Sequence, residues 1–246
     1  MADDSYHGTV KITYKDGRTY KGSFVDGKPH GIGTLTTKQQ ITNGNNDNSQ
    51  QTITYKGEFI NGLQHGKGTN YHPNGDEYSG EFRQGQFIQG TWKTKMNGSS
   101  SSLVVVYKGQ FEKNEQPCGQ GTAYNTNGSV LYKGQWKEGE PHGKGVMNYA
   151  NGDVYNGDWV NGNKEGNGVM TYKSGEVYEG EWRGDVRCGK GIIRFLNGDV
   201  FSGEWVGRKR EGADGEEQGV GTSEDGGPNE VEDGDGAKRR KVEVSP

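Results

Sequence analysis

A segment of 23 residues recurs in the chain, and this repetition constrains the possible folds more than any other feature. Tyr132, Tyr155 and Tyr178 each open a Tyr-x-Gly-x-Trp segment, and the steps from 132 to 155 and from 155 to 178 are both 23 residues. The closing residues are Trp136, Trp159 and Trp182. A fixed period of this length indicates a repeat architecture, in which each unit packs only against its neighbours.

The opening segment of each repeat is predicted to be a β-strand with an aromatic and a polar side. Successive side chains of a strand alternate between faces, so Tyr155, Gly157 and Trp159 share one face while Asn156 and Asp158 share the other. Glycine is unfavourable inside a strand on entropic grounds. Its presence predicts that a ring, most simply one from the next strand, packs closely over that backbone.

A second strand is expected after a loop that contains Gly162, Gly166 and Gly168, with Met170 and Tyr172 on the same face as Gly168. Asn-Gly dipeptides are typical of two-residue hairpin turns, because both central residues need positive φ. These predicted turns are Asn74-Gly75, Asn127-Gly128, Asn151-Gly152 and Asn197-Gly198. Each repeat is therefore predicted to be a β-hairpin.

Two tyrosines are out of step with this pattern. Tyr71 and Tyr124 come three residues after Gly68 and Gly121, whereas the equivalent tyrosines in other repeats come four residues after their glycine. A shift of one residue moves a side chain to the opposite face, so both tyrosines are predicted to lie on the other side of the sheet unless a bulge corrects the register.

The combination of Tyr-x-Gly-x-Trp, Gly-x-x-x-Gly-x-Gly and a closing aromatic-x-x-Gly-x-x-Tyr resembles the MORN (membrane occupation and recognition nexus) repeat over most of residues 20–205. The resemblance implies an all-β fold, an elongated and twisted single-layer antiparallel sheet of stacked β-hairpins. It also implies scaffolding and partner binding, with lipid binding as a disputed second role of the family.

The repeat array is predicted to cover residues 1–210, with about seven repeats and terminal half-repeats. Polar inserts at residues 36–52 and 96–102 interrupt the period and are predicted to be loops. Residues 211–246 hold 11 acidic and four basic residues, a net charge of −7, which leaves +3 of the chain's −4 for residues 1–210. An acidic segment with few apolar residues is predicted to be disordered.

The sequence also predicts where the protein works. No apolar run approaches the roughly 20 residues of a membrane helix, and the first residues lack the pattern of a signal peptide. We therefore expect a protein that is not secreted, has no transmembrane segment and works in the nucleus, the cytoplasm or both. Lys238, Arg239, Arg240 and Lys241 resemble a short nuclear-import signal, although the same residues could simply offset the acidic tail.

Candidate metal ligands recur just before the Gly-x-Gly of the repeats. They are His30, His65, Cys118, His142 and Cys188. Equivalent positions of neighbouring hairpins lie roughly 10 Å apart with parallel side chains, whereas zinc needs four ligands at about 2.3 Å. We therefore predict no metal site and two free thiols. The resemblance implies that the histidines brace the adjacent loop by hydrogen bonding.

Residues 184–191, GDVRCGKG, come close to a phosphate-binding loop but lack its hydroxyl residue and the helix that should follow. No set of side chains assembles into a catalytic group. The chain is accordingly predicted to have no cofactor and no enzyme activity, and a nucleic-acid partner is not expected.

The predicted function is a non-catalytic scaffold that binds another protein along its aromatic face. The residues proposed for that face are Tyr132, Trp136, Tyr155, Trp159, Tyr178 and Trp182. The alternative is a peripheral module that binds phosphoinositides or another anionic phospholipid, and self-association is also left open. Basic clusters of four to eight residues are typical of lipid binding, and residues 1–210 contain no clear cluster of that size.

The nuclear-import hypothesis can be tested with a bulky fluorescent reporter fused to residues 211–246. We expect the reporter to accumulate in the nucleus, because an accessible basic cluster is what import receptors bind. Replacing Lys238, Arg239, Arg240 and Lys241 by alanine should return it to the cytoplasm, as measured by microscopy. A reporter that stays cytoplasmic with the native tail would contradict the hypothesis.

Overall fold

The structure, a computed structural model, describes residues 8–42, 48–95, 103–112 and 115–206. These residues form 16 strands of antiparallel sheet, and within each of the two units described below a strand lies beside the strands that precede and follow it in sequence. The described residues include no helix, and hence none that could span a membrane. The predicted all-β, single-layer sheet of stacked hairpins is confirmed. The predictions for residues 96–102 and 207–246 lie outside the described residues.

The chain divides into two compact units, residues 1–130 and 131–246. The strands of unit 1 are β1 (Gly8–Thr13), β2 (Thr19–Val25), β3 (Lys28–Thr42), β4 (Asn48–Ile60), β5 (Leu63–Tyr71), β6 (Glu77–Arg83), β7 (Gln86–Lys95), β8 (Leu103–Glu112) and β9 (Gln116–Tyr124). Hairpins 1 to 4 are β2–β3, β4–β5, β6–β7 and β8–β9.

Unit 2 repeats the same organisation. Its strands are β10 (Val130–Lys137), β11 (Glu140–Asn148), β12 (Val154–Val160), β13 (Asn163–Thr171), β14 (Val177–Arg183), β15 (Val186–Arg194) and β16 (Val200–Val206). Hairpins 5 to 7 are β10–β11, β12–β13 and β14–β15. We call the side of the sheet that carries the repeat tyrosines the aromatic face, and the other side the polar face.

The two strands of a hairpin are joined by a two-residue turn that the sequence analysis did not identify. In hairpin 6, Val160 pairs with Asn163 across the turn residues Asn161 and Gly162, whose φ angles are 48° and 77°. Positive φ at both positions is the type I′ geometry that suits the twist of an antiparallel pair. The equivalent turns are Asp26-Gly27, Asn61-Gly62, Gln84-Gly85, Glu138-Gly139 and, with glycine first, Gly184-Asp185.

The Asn-Gly dipeptides form a different turn, so the prediction for them was wrong. Tyr149 N–H donates to Asp153 O (2.9 Å) and Gly152 N–H donates to Tyr149 O (3.0 Å), which encloses three residues instead of two. Only Gly152 has positive φ (95°), because Asn151 occupies an ordinary turn position. The side-chain oxygen of Asn151 accepts the N–H of Asp153 (3.0 Å), an Asx turn that explains the asparagine.

The glycine-rich loop predicted before the second strand is also absent, since β13 starts at Asn163 immediately after the turn. Gly157 pairs with Gly168 but the next residue, Asp158, pairs with Glu165, so Gly166 and Asn167 form a bulge. Gly166 takes φ 61° there. The glycines that the sequence placed in a loop therefore lie inside a continuous, bulged strand.

The polar insert at residues 36–52 is not simply a loop. Strands β3 and β4 stay paired through it, from Thr36 opposite Thr54 to Thr42 opposite Asn48. Threonine and isoleucine favour extended backbone, and the first part of the ladder supplies a template that fixes their register. The turn itself, residues 43–47, lies outside the described residues.

A row of paired glycines crosses each unit, and the repeat tyrosines cover it. In hairpin 6, a Cβ added to Gly168 would lie 2.3 Å from the Tyr155 hydroxyl oxygen, and one added to Gly157 would lie 2.5 Å from it. A ring does pack over the glycine backbone, as predicted. It comes from the tyrosine two residues earlier in the same strand, and not from the next strand.

The two out-of-step tyrosines lie on the polar face, as the register predicted. Tyr71 pairs with Thr54, which neighbours Tyr55 and therefore faces the opposite side, and Lys56 lies 5.1 Å from the centroid of the Tyr71 ring. Tyr124 follows Ala123, the partner of Tyr107 on the aromatic face. No bulge in β5 or β9 returns either tyrosine to the aromatic face.

Replacing Gly157 by valine should destabilise the protein by about 1 to 3 kcal/mol or more, because the new Cβ meets both the Tyr155 ring and the Gly168 backbone (2.6 Å). Urea unfolding measures the change. Asn156→Val is a matched control, since Asn156 is the exposed neighbour of Gly157 in the same strand, and it should change stability by less than about 0.5 kcal/mol. Equal stability of the two variants would contradict the packing described here.

Candidate functional site

The aromatic residues predicted to bind a partner are mostly buried. Tyr132, Tyr155 and Tyr178 are 0% exposed, and Trp159 and Trp182 are 2% exposed. Trp136 is half-buried. Five of the six side chains thus offer almost no surface to another molecule in this structure.

Each tyrosine that covers a glycine pair is held by its hydroxyl group. The Tyr155 hydroxyl donates to the carbonyl oxygen of Asp158 (3.2 Å), three residues later, while the ring covers the glycine pair. The same bond occurs in hairpins 1, 2, 4, 5 and 7. Its donors and acceptors are Tyr20 and Ser23, Tyr55 and Glu58, Tyr107 and Gln110, Tyr132 and Gln135, and Tyr178 and Glu181. A repeated tyrosine is therefore needed for its ring and for its hydroxyl.

The tryptophans connect one hairpin of unit 2 to the next. Tyr155 lies edge-on to Trp159 of its own strand (5.0 Å between centroids, 89°) and to Trp182 of hairpin 7 (5.3 Å, 81°). The indole N–H of Trp182 donates back to the carbonyl oxygen of Gly168 (3.3 Å). The rings consequently form a continuous ladder whose members bury one another.

Basic side chains cover part of this ladder. The Lys164 ammonium lies 4.6 Å from the centroid of the Trp182 ring, and the Arg187 guanidinium lies 4.7 Å from that of Tyr178 and 5.4 Å from that of Trp205. Arg187 is itself only 2% exposed. Cations over aromatic faces are attracted by the ring quadrupole, so these residues stabilise the ladder and cover it further.

The bulge on the second strand is supported by a side chain from the first strand. In hairpin 6 the Asp158 carboxylate accepts the N–H of Asn167 (3.1 Å), directly after Gly166. The same bond runs from Lys67 to Glu58, from Gln120 to Gln110, from Lys144 to Gln135 and from Lys190 to Glu181. The acceptor three residues after the opening tyrosine therefore supports the bulge in these five hairpins.

Within the described residues, the side chains of His30, His65 and His142 form no hydrogen bond to the adjacent loop, so the expected bracing is not observed. His142 Nδ1 is buried without a hydrogen-bond partner among the described residues. The carboxylate and amide acceptors supply the bond instead. The described residues contain no group of three His, Cys, Asp or Glu arranged for a metal, and Cys118 and Cys188 are free thiols. Burial is the main factor that raises the pKa of both thiols.

Hairpin 3 departs from the pattern in unit 1. The Phe87 ring, and not that of Tyr78, lies against the glycine pair, where a Cβ on Gly90 would meet Phe87 Cζ at 2.7 Å. Tyr78 stacks instead on Trp92 (5.8 Å, 5°). Trp92 occupies the position, opposite the repeat tyrosine, that Met170 has in hairpin 6.

A polar cluster lies beside this irregular hairpin. The Glu115 carboxylate accepts the side-chain amide N–H of Asn70 (2.8 Å) and lies 2.9 Å from His72 Nε2. Asn70 lies near the end of β5 in hairpin 2 and His72 directly follows that strand, whereas Glu115 belongs to the turn of hairpin 4. The contact therefore joins two hairpins that are separated by a third one.

The polar face of unit 1 carries a groove of about 1250 Å³, which sequence reasoning missed. Its floor includes the glycine row, for example Gly68, Gly80 and Gly109. The polar side chains that line it are Glu58, Lys67, Thr69, Ser79, Glu81, Gln89, Lys108, Gln110 and Gln120. These residues come from six strands, β4 to β9. Strand alternation could have identified them as one face, but not that this face contains a groove.

The residues of the near phosphate-binding loop are part of the sheet. Gly184 and Asp185 form the turn of hairpin 7, and Gly191 lies in the glycine row opposite Gly180. No helix follows in the described part of the chain, and the N–H groups of this segment are not gathered at a helix end. The geometry gives no support for a phosphate site there.

Comparison with known proteins identifies one family. The family model described as MORN repeat matches six segments that together cover more than half of the chain. The matched residues are 20–39, 55–77, 107–130, 132–154, 155–177 and 178–200. Hairpin 3, which lacks the regular tyrosine packing, lies between two matched segments. No curated protein matches the chain.

Burial of the tyrosines makes the stability sensitive to alkaline pH. Desolvation raises the pKa of Tyr132 to about 12, against about 10 in the unfolded chain. Above pH 10 the unfolded state loses this proton before the folded state does, so the free energy of unfolding should fall between about pH 10 and pH 12, by about 2 to 3 kcal/mol from Tyr132 alone.

The control is Tyr132→Phe, which removes the ionisable hydroxyl but keeps the ring. Its free energy of unfolding should fall less steeply than that of the native chain over the same pH range, as measured by urea titration. Parallel pH profiles for the two proteins would show that Tyr132 ionises normally.

Proposed function

The chain belongs to the MORN repeat family, and we propose on that basis that it is a non-catalytic scaffold that binds a protein partner along its sheet. MORN repeats suggest either a repeat scaffold or a membrane-associated binding module. We favour the first role. The proposed compartment is the nucleus, the cytoplasm or both, and the basic cluster at residues 238–241 is the reason for including the nucleus.

The observation that supports protein binding is the groove of unit 1. It crosses six strands, which at about 4.8 Å per strand corresponds to about 24 Å, the length of about seven residues of extended chain. Polar side chains line it, and the strands beneath use their own N–H and C=O groups for sheet pairing. A partner would therefore be recognised by side chains rather than by addition of a strand.

The burial of the aromatic ladder changes the surface that we propose for binding, but not the proposed role. Tyr155 and Trp182 are needed inside the sheet, so their substitution would report on stability before it reported on binding. The polar face carries side chains that the fold leaves exposed, such as Lys67, Gln89 and Gln120. These can be replaced without removing a ring from the ladder.

Membrane binding is less well supported by the polar face. The lysines available in unit 2 are dispersed, and Lys144 forms an ion pair with Asp158 (2.6 Å). A juxtaposed cluster of four to eight unpaired basic residues is typical of binding to anionic lipid. Protein binding needs no such cluster, because a few well-placed contacts can supply most of its energy.

Site-specific photo-crosslinking tests the proposed surface. A photoreactive amino acid at Gln89, in the groove, should capture a protein that mass spectrometry identifies, whereas the same group at Leu63, exposed at the turn of hairpin 2, should not. Gln120→Trp fills the groove and should lower capture by about tenfold or more, which corresponds to about 1.4 kcal/mol.

Gln116→Trp serves as the matched control, since Gln116 is exposed in the same strand but does not line the groove. It should leave the capture unchanged. Equal capture from Gln89 and Leu63, or equal effects of the two tryptophan variants, would contradict binding in the groove.

A further inference from the structure

We propose that the groove of unit 1 selects an acidic segment of its partner, a specificity that rests on the proposed function. Two hydrogen-bond acceptors on the groove wall are already used. The Glu58 carboxylate accepts the N–H of Lys67 (2.9 Å), and the Gln110 side-chain oxygen accepts the N–H of Gln120 (2.9 Å). These acceptors are occupied by the fold itself.

The second carboxylate on the groove wall is occupied as well. Glu81 accepts the side-chain amide of Gln89 (2.8 Å) and pairs with the Arg83 guanidinium (3.3 Å). The hydroxyl groups of Thr69 and Ser79 share one hydrogen bond (3.0 Å). Both carboxylates and the Gln110 amide oxygen are therefore used by the fold, whereas the amide oxygens of Gln89 and Gln120 have no partner within the described residues.

Several hydrogen-bond donors of the groove, in contrast, have no partner. The ammonium groups of Lys67 and Lys108 are exposed, and neither forms a hydrogen bond or ion pair with any residue that the structure describes. The side-chain N–H groups of Gln110 and Gln120 also have no partner within the described residues. A surface with unused donors and two unused cations is complementary to a ligand rich in carboxylate oxygens.

The spacing of the lysines indicates the form of that ligand. Lys67 lies in β5 and Lys108 in β8, three strands apart, which corresponds to about 14 Å across the sheet. An extended chain advances about 3.4 Å per residue, so a segment lying along the groove would present carboxylates to the two lysines about four residues apart.

Other anionic partners fit less well. Glu58 and Glu81 lie among the lysines and would repel the continuous phosphate backbone of a nucleic acid, and none of the described residues that line the groove is aromatic and could stack on a base. A flat anionic membrane would likewise meet both carboxylates. Separate acidic residues on a peptide can contact the lysines and avoid the glutamates.

Selection of binders from a random peptide library displayed on phage tests this specificity with the full chain as bait. Selected peptides should be enriched in Asp and Glu, and resynthesised peptides should bind the Lys67→Gln, Lys108→Gln double variant at least about tenfold more weakly. A Lys15→Gln, Lys28→Gln variant changes two exposed lysines of unit 1 outside the groove and should bind normally.

The outcomes separate the two proposals. In one outcome, Gln120→Trp blocks the binding of peptides that are not enriched in acidic residues and that lose no affinity on the lysine substitutions. This result would overturn acidic selectivity and leave groove binding intact. Failure to select any peptide that Gln120→Trp blocks would overturn both. Binding of phosphatidylcholine vesicles that contain phosphatidylserine, lost in the Lys67→Gln, Lys108→Gln variant, would favour a membrane ligand instead.

Discussion

The contact between one tyrosine ring and two opposed glycines is the interaction on which the rest of the structure depends. A single-layer sheet has no second sheet or helix to cover its apolar side. Here the ring of Tyr155 covers the backbone of Gly157 and Gly168, its hydroxyl binds the same strand, and Trp182 covers the ring in turn. The burial that a conventional core obtains between layers is obtained here within one layer.

The sequence was sufficient to predict this architecture, because the period of the repeat and the alternation within strands are both independent of distant contacts. The turns were harder to predict. Asn-Gly is compatible with a two-residue or a three-residue turn, and the pairing of the flanking residues, such as Tyr149 with Asp153, decides between them. The insert at residues 36–52 was misread for a similar reason, since its pairing continues a ladder that begins outside it.

The sequence placed the candidate site on the aromatic face, which stays a prediction, and the structure shows a physical difficulty with it. The most regular residues in the sequence, such as Tyr132 and Trp159, are regular because the fold needs them, and this requirement buries them. The groove, in contrast, is lined by the variable positions between the regular residues of six strands, such as Lys67 between Gly66 and Gly68 and Lys108 between Tyr107 and Gly109. Lys67, Gln89 and Lys108 come together only through the strand register and the shape of the sheet surface, neither of which a periodic pattern specifies.

The link from Glu115 to Asn70 and His72 affects how stability is distributed in unit 1. In an array where each repeat contacts only its neighbours, unfolding can stop at any weak interface. Hairpin 3 departs from the regular packing, with Tyr78 displaced from its glycines. Because Glu115 contacts Asn70 and His72 directly, hairpins 2 and 4 share a contact that does not pass through hairpin 3, and we expect unit 1 to unfold more cooperatively than nearest-neighbour contacts alone would provide.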